Sequence, residues 1–88
     1  NIVQYSILLH MICHITGNHV GDFIWSGGDV HLYSNHLKQA QTQLVRDARP
    51  SPLLKFSRDV ASIEDFKFED FQLIDYHPHP TIKAEVSV

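Results

Sequence analysis

Gly21-Asp22-Phe23-Ile24-Trp25-Ser26-Gly27-Gly28-Asp29-Val30-His31-Leu32-Tyr33-Ser34-Asn35-His36 is the stretch that decides how this chain is read. The β-branched and aromatic residues from Phe23 to Tyr33 predict a strand, entered through a turn at Val20-Gly21-Asp22. Paired glycines inside such a run predict a bulge or a close approach to the backbone. His31 and Tyr33 are two apart, so in a strand they share a face roughly 7 Å apart, within reach of one small polar ligand. Ser34 is placed to cap the helix that follows, and Leu37, Ala40, Leu44 and Val45 recur at helical spacing until Pro50 and Pro52 end the pattern.

Upstream of this stretch, Ile2 to Ile15 is apolar at nearly every position, interrupted only by Gln4, Ser6, His10 and His14. A helix apolar on all sides belongs in the centre of a larger body. Gly17 and Asn18 provide its left-handed stop. Downstream, Leu54 and Phe56 alternate with Lys55 and Ser57 and predict a strand over Leu53 to Arg58, while Ser62-Ile63-Glu64-Asp65 reads as a capped helix start. Phe66, Phe68 and Phe71 are expected to be core aromatics. His77-Pro78-His79-Pro80 is rigid extended punctuation, and Thr81 to Val88 reads as a last short strand or a flexible tail.

The composition narrows the classes of function. With 88 residues, 43% hydrophobic and 19% charged, the chain holds at most one small domain and is too apolar for a disordered one. Its net charge is -3, and its 7 Lys and Arg are scattered without the basic stripe that nucleic-acid binding requires. The apolar run of the first helix is short of the roughly 18 residues that span a bilayer, so neither a membrane span nor a signal peptide is expected. The opening Asn1-Ile2-Val3-Gln4-Tyr5 reads as the interior of a longer chain. Cys13 is the sole cysteine, which excludes an internal disulfide and suits a reducing cytoplasm. Flanked by Ile12 and His14 in the apolar helix, it reads as a packing thiol. His10 and His14 share a helix face, but no Glu of the zincin pattern lies between them and no third ligand is assigned, so no metal site is expected.

The stretch from Gly21 to His36 resembles the signature of the thymidylate synthases. The resemblance extends through Asn1-Ile2 leading into Tyr5, Arg49-Pro50-Ser51-Pro52-Leu53, and Phe68-Glu69-Asp70-Phe71 running on to Tyr76-His77-Pro78-His79-Pro80-Thr81-Ile82-Lys83. The blocks keep the family's order and spacing over essentially the whole chain. It implies an α+β fold in which the apolar helix packs on a large mixed β-sheet, with residues 1–88 as the C-terminal segment of a single domain that is incomplete here. It also implies a cytoplasmic homodimer that methylates deoxyuridylate (dUMP) reductively to thymidylate, with 5,10-methylenetetrahydrofolate as cosubstrate and dihydrofolate as product. A cysteine thiolate adds to the uracil ring in that chemistry. The family carries it in a Pro-Cys-His context, a tripeptide this segment does not contain, so no catalytic residue is expected within it.

The resemblance also implies site residues. Asn1 falls where the family sets an amide against the pyrimidine edge, and an amide can meet uracil O4 and N3-H together. By itself an Asn at a helix start is a cap. His31 and Tyr33 fall where the family holds the ribose 3'-hydroxyl; outside the motif they read as a half-buried pair satisfied by backbone. Ser87 and Val88 fall where the last residues fold over bound folate, and read otherwise as a loose terminus. Glu85 departs from a place where bacterial relatives carry Pro or an apolar residue. Two alternatives stand beside this reading. One is a pyrimidine-nucleotide hydroxymethylase of the same fold, for which a carboxylate in place of Asn1 would suit cytosine. The other is a noncatalytic fragment.

Overall fold

In the computed structural model, described over residues 1–87, helices and strands are joined by long irregular segments. Helix α1 spans Ile2–Thr16. It ends as its sequence dictates: Gly17 takes φ 68°, the Gly17 N–H donates to His14 O at 3.4 Å and the Asn18 N–H to Cys13 O at 3.0 Å. This pair of bonds around a left-handed residue satisfies carbonyls that the last turn would otherwise leave unpaired. A 3₁₀ turn at Ser34–His36 leads directly into helix α2, Leu37–Leu44. Ser34 is therefore the first residue of that turn, not a cap. Tyr33 flanks the turn, and no side chain caps either element.

Strand β1, Leu53–Phe56, pairs antiparallel with strand β2, Phe71–Ile74, in the register Leu53↔Ile74 to Phe56↔Phe71. The loop between them contains 3₁₀ turns at Ile63–Asp65 and Phe68–Asp70. One carboxylate closes it. Asp70, 4% exposed, accepts Arg58 Nε and Nη2 at 2.8 Å each, one on each oxygen, and the Lys67 N–H at 2.8 Å. A buried carboxylate needs this many donors to offset its desolvation. The Arg58 guanidinium, followed by the Lys67 N–H, holds the Asp70 carboxyl below the usual range, and Asp70 in turn raises Arg58.

The aromatic centre lies between this hairpin and the C-terminal half of α1. Phe56 meets His14 at 5.0 Å, Phe66 at 4.9 Å and Phe71 at 5.6 Å between ring centroids, with tilted or edge-on geometry. His14 is held twice over, since its Nε2 accepts the Val60 N–H at 3.1 Å and lies 3.1 Å from Asp59 Oδ1. Cys13, Val60 and Asp70 are the buried residues among those described. The chain is α+β, as expected, but α1 is covered on one side only and the sheet has two strands.

Two further local expectations are corrected. Residues 18–33 form no strand, because a strand needs a hydrogen-bonded neighbour and none lies beside this segment among the described residues. Phe68 is 88% exposed, since the 3₁₀ turn that brings Asp70 inward carries Phe68 outward. Of the two alternatives for the end of the chain, Thr81 to Ser87 does not take the strand, and Val88 lies outside the described residues.

The exposed surface is large for this mass. The chain exposes 7797 Å², against about 5,300 Å² for a compact monomer of its size. Its radius of gyration is 16.6 Å, where about 12 Å is usual for 88 residues. Much of the excess is apolar, with Ile24, Trp25, Val30 and Leu32 all exposed.

Candidate functional site

Around the paired glycines the backbone is open, and their two positions differ. A Cβ on Gly27 would fall 2.6 Å from Trp25 Cη2 and 2.6 Å from Val30 Cγ2, whereas one on Gly28 would meet nothing. The indole and the valine thus close over Gly27, the close approach that the glycine pair predicts. Beyond it, His31 and Asp29 form an exposed pair, Nε2 to Oδ1 at 3.4 Å. Tyr33 is exposed, and its ring stands edge-on to His36 at 5.8 Å and 89°. His31 and Tyr33 are thus both exposed, with His31 Nε2 paired to Asp29.

Asn1 is the N-cap residue of α1 and its carbonyl accepts the Tyr5 N–H at 3.0 Å, but its side chain makes no capping bond. The amide is exposed and unspent. Among the described residues no hydrogen bond or ring contact joins Asn1 to His31 or Tyr33. Cys13 is buried, with Sγ 3.6 Å from His19 O, a packing environment. Ser87 is half-buried at the end of the tail; Val88, its expected companion against folate, lies outside the described residues.

Sequence reasoning missed the way the tail is held. Arg49 Nη1 donates to His77 O at 2.8 Å and Pro78 O at 2.9 Å, and Arg46 Nη2 donates to Pro80 O at 2.7 Å. His79 Nε2 lies 2.9 Å from Asp47 O, Gln39 Nε2 donates to Lys83 O at 3.4 Å, and His36 Nε2 lies 2.7 Å from Glu85 O. Donors just before, on and beyond α2 thus meet the tail's carbonyls at His77, Pro78, Pro80, Lys83 and Glu85, and the His79 ring meets Asp47 O in return. A signal for this was present: a Pro-x-Pro segment lacks ladder donors while its carbonyls still need partners, and Arg46 and Arg49 stand at the end of a short amphipathic helix. Beside the tethers runs an open cleft of about 880 Å³, lined by Asn35, Gln39 and residues Thr81 to Glu85. Gln39 Oε1 is buried there without a partner.

Among the described residues no group of three His, Cys, Asp or Glu side chains is placed to hold a metal ion, and no helix is long and apolar enough to cross a membrane. In comparison with known families, the family described as thymidylate synthase matches the chain over residues 1–88.

Proposed function

We propose, since this chain belongs to the thymidylate synthase family, that it forms part of an enzyme that converts deoxyuridylate to thymidylate with 5,10-methylenetetrahydrofolate. The observation that carries the reading is the family match through all 88 residues, which spans the motif holding His31 and Tyr33. In this reading the exposed amide of Asn1 meets uracil O4 and N3-H, and its donor stabilises charge that grows on O4 during thiolate addition. His31 and Tyr33, both exposed, hold the ribose 3'-hydroxyl. The tail ending in Ser87 and Val88 closes over the folate and excludes water.

The nucleophilic cysteine belongs to residues upstream in the complete domain. Cys13 is buried, lacks the Pro-Cys-His context, and packs α1. The excess surface supports the same arrangement, because the exposed apolar run from Phe23 to Leu32 and the uncovered side of α1 are what a larger sheet and a second subunit would cover. The complete protein is accordingly a homodimer, and its lone thiol in this segment suits the cytoplasm.

The test is an assay of the complete protein with both substrates. Equal yields of thymidylate and dihydrofolate are expected. A hydroxymethylated product without dihydrofolate, or no product, would refute the reading.

A further inference from the structure

One residue of the tail's fastening also touches the proposed nucleotide site. His36 closes the 3₁₀ turn that follows Tyr33, and it is half-buried. Its Nε2 lies 2.7 Å from the Glu85 carbonyl, 49 residues away. A carbonyl only accepts, so that nitrogen carries the hydrogen. The same ring stands edge-on to Tyr33. Glu85 is two residues before Ser87, so of all the tethers this one is nearest the closing end of the tail. Gln39, three residues on from His36, adds a longer bond to Lys83 O.

We infer that His36 is a positioning residue for folate closure, holding the Glu85 carbonyl so that the residues beyond it start close to their closed place. The inference rests on the reading of the tail and of Tyr33 given above. Neither the Glu85 side chain nor any ionised group is needed, because the contact is to main chain. A contact to main chain does not depend on which side chain stands at this position. His36 touches no reacting atom. Its effect passes through the tail to folate and, through the Tyr33 ring, meets the nucleotide site without altering its hydrogen bonds.

The experiment uses the complete enzyme with His36→Phe, which keeps a ring against Tyr33 but has no donor, and His36→Gln, which keeps a donor. Loss of one neutral hydrogen bond is expected to raise KM for methylenetetrahydrofolate about two- to tenfold in His36→Phe, with the Kd for deoxyuridylate unchanged. Amide exchange at Val86 and Ser87 should quicken in parallel, and His36→Gln should restore both. An unchanged folate KM in His36→Phe, an equal rise in the nucleotide Kd, or a His36→Gln variant as impaired as His36→Phe would each overturn the inference. Should His36→Phe fail to fold, His36→Leu carries the same comparison. If the wild-type enzyme makes no thymidylate, the proposed function fails. The exchange rates then decide the tether separately, and equal rates at Val86 and Ser87 in wild type and His36→Phe would refute it.

Discussion

Replacing Asn1 with alanine in the complete enzyme separates recognition from helix capping. A capping side chain contributes about 0.5–2 kcal/mol to its helix, but the Asn1 side chain makes no capping bond. Its loss should therefore leave the denaturation midpoint almost unchanged. Recognition is a different matter. Two neutral hydrogen bonds, to O4 and N3-H of uracil, contribute about 0.5–1.5 kcal/mol each, so binding should weaken by about 1–3 kcal/mol, or roughly 5- to 150-fold. Asn1→Asp sharpens the test because a carboxylate repels charge on O4 yet accepts from a cytosine amino group. For that variant kcat/KM with deoxyuridylate should fall by about 10² or more, while deoxycytidylate gains relative to it. Steady-state kinetics with both nucleotides, beside urea unfolding of each variant, measure these quantities. An unchanged ratio of the two specificity constants, or a loss of stability of about 1 kcal/mol with normal kinetics, would refute the reasoning.

Other outcomes follow from the same geometry. Gly17→Ala should cost about 1–2 kcal/mol in unfolding free energy, all of it from the left-handed backbone because its Cβ meets nothing, and Gly17→Asn should cost less. Cys13→Ala in the complete enzyme should leave turnover within a few-fold; a loss of about 10³ would show the thiol to be catalytic. Because Asp70 has its carboxyl depressed by Arg58, its stabilising effect is complete above about pH 4, the ordinary aspartate value, and disappears as pH falls through the lowered one. Asp70→Asn should accordingly unfold more readily at neutral pH and lose part of the acid-induced drop in stability, read from urea midpoints across the acid range. The 88 residues alone should associate and melt without a cooperative transition, given their exposed apolar surface; a monodisperse monomer with a sharp melt would contradict this.

What could be read from sequence was what local chemistry determines. Helix α1, its stop at Gly17 and strand β1 come from apolar runs, a left-handed glycine and alternation. The segment from Phe23 to Tyr33 has strand composition, yet a strand exists only with a partner, and composition does not say where the partner is. Strand β2 escaped notice because the alternation of Phe71-Gln72-Leu73 is one period long and breaks at Ile74, too short to mark its faces. Phe68 and Phe71 carry the same side chain, and only the turn that buries Asp70 decides which faces out. At the site, the roles read for Asn1, His31 and Tyr33 come from the family motif alone, since spacing and composition give each of them an ordinary structural reading as well. The donors that track the tail were not legible, since each joins residues 28 to 49 positions apart and ends on a carbonyl, which every residue has.

The tethering of the tail sets the length of its lever. With His77 to Glu85 fastened to donors before, on and after α2, the pivot falls at Glu85, where His36 holds it. Val86 and Ser87, the described residues beyond that pivot, reach about 7 Å from it at full extension. In the proposed folate-closing role, moving Ser87 farther than that breaks the His36 bond and transfers the pivot back to Lys83 or Pro80, so the tail's travel comes in steps rather than as a continuous swing.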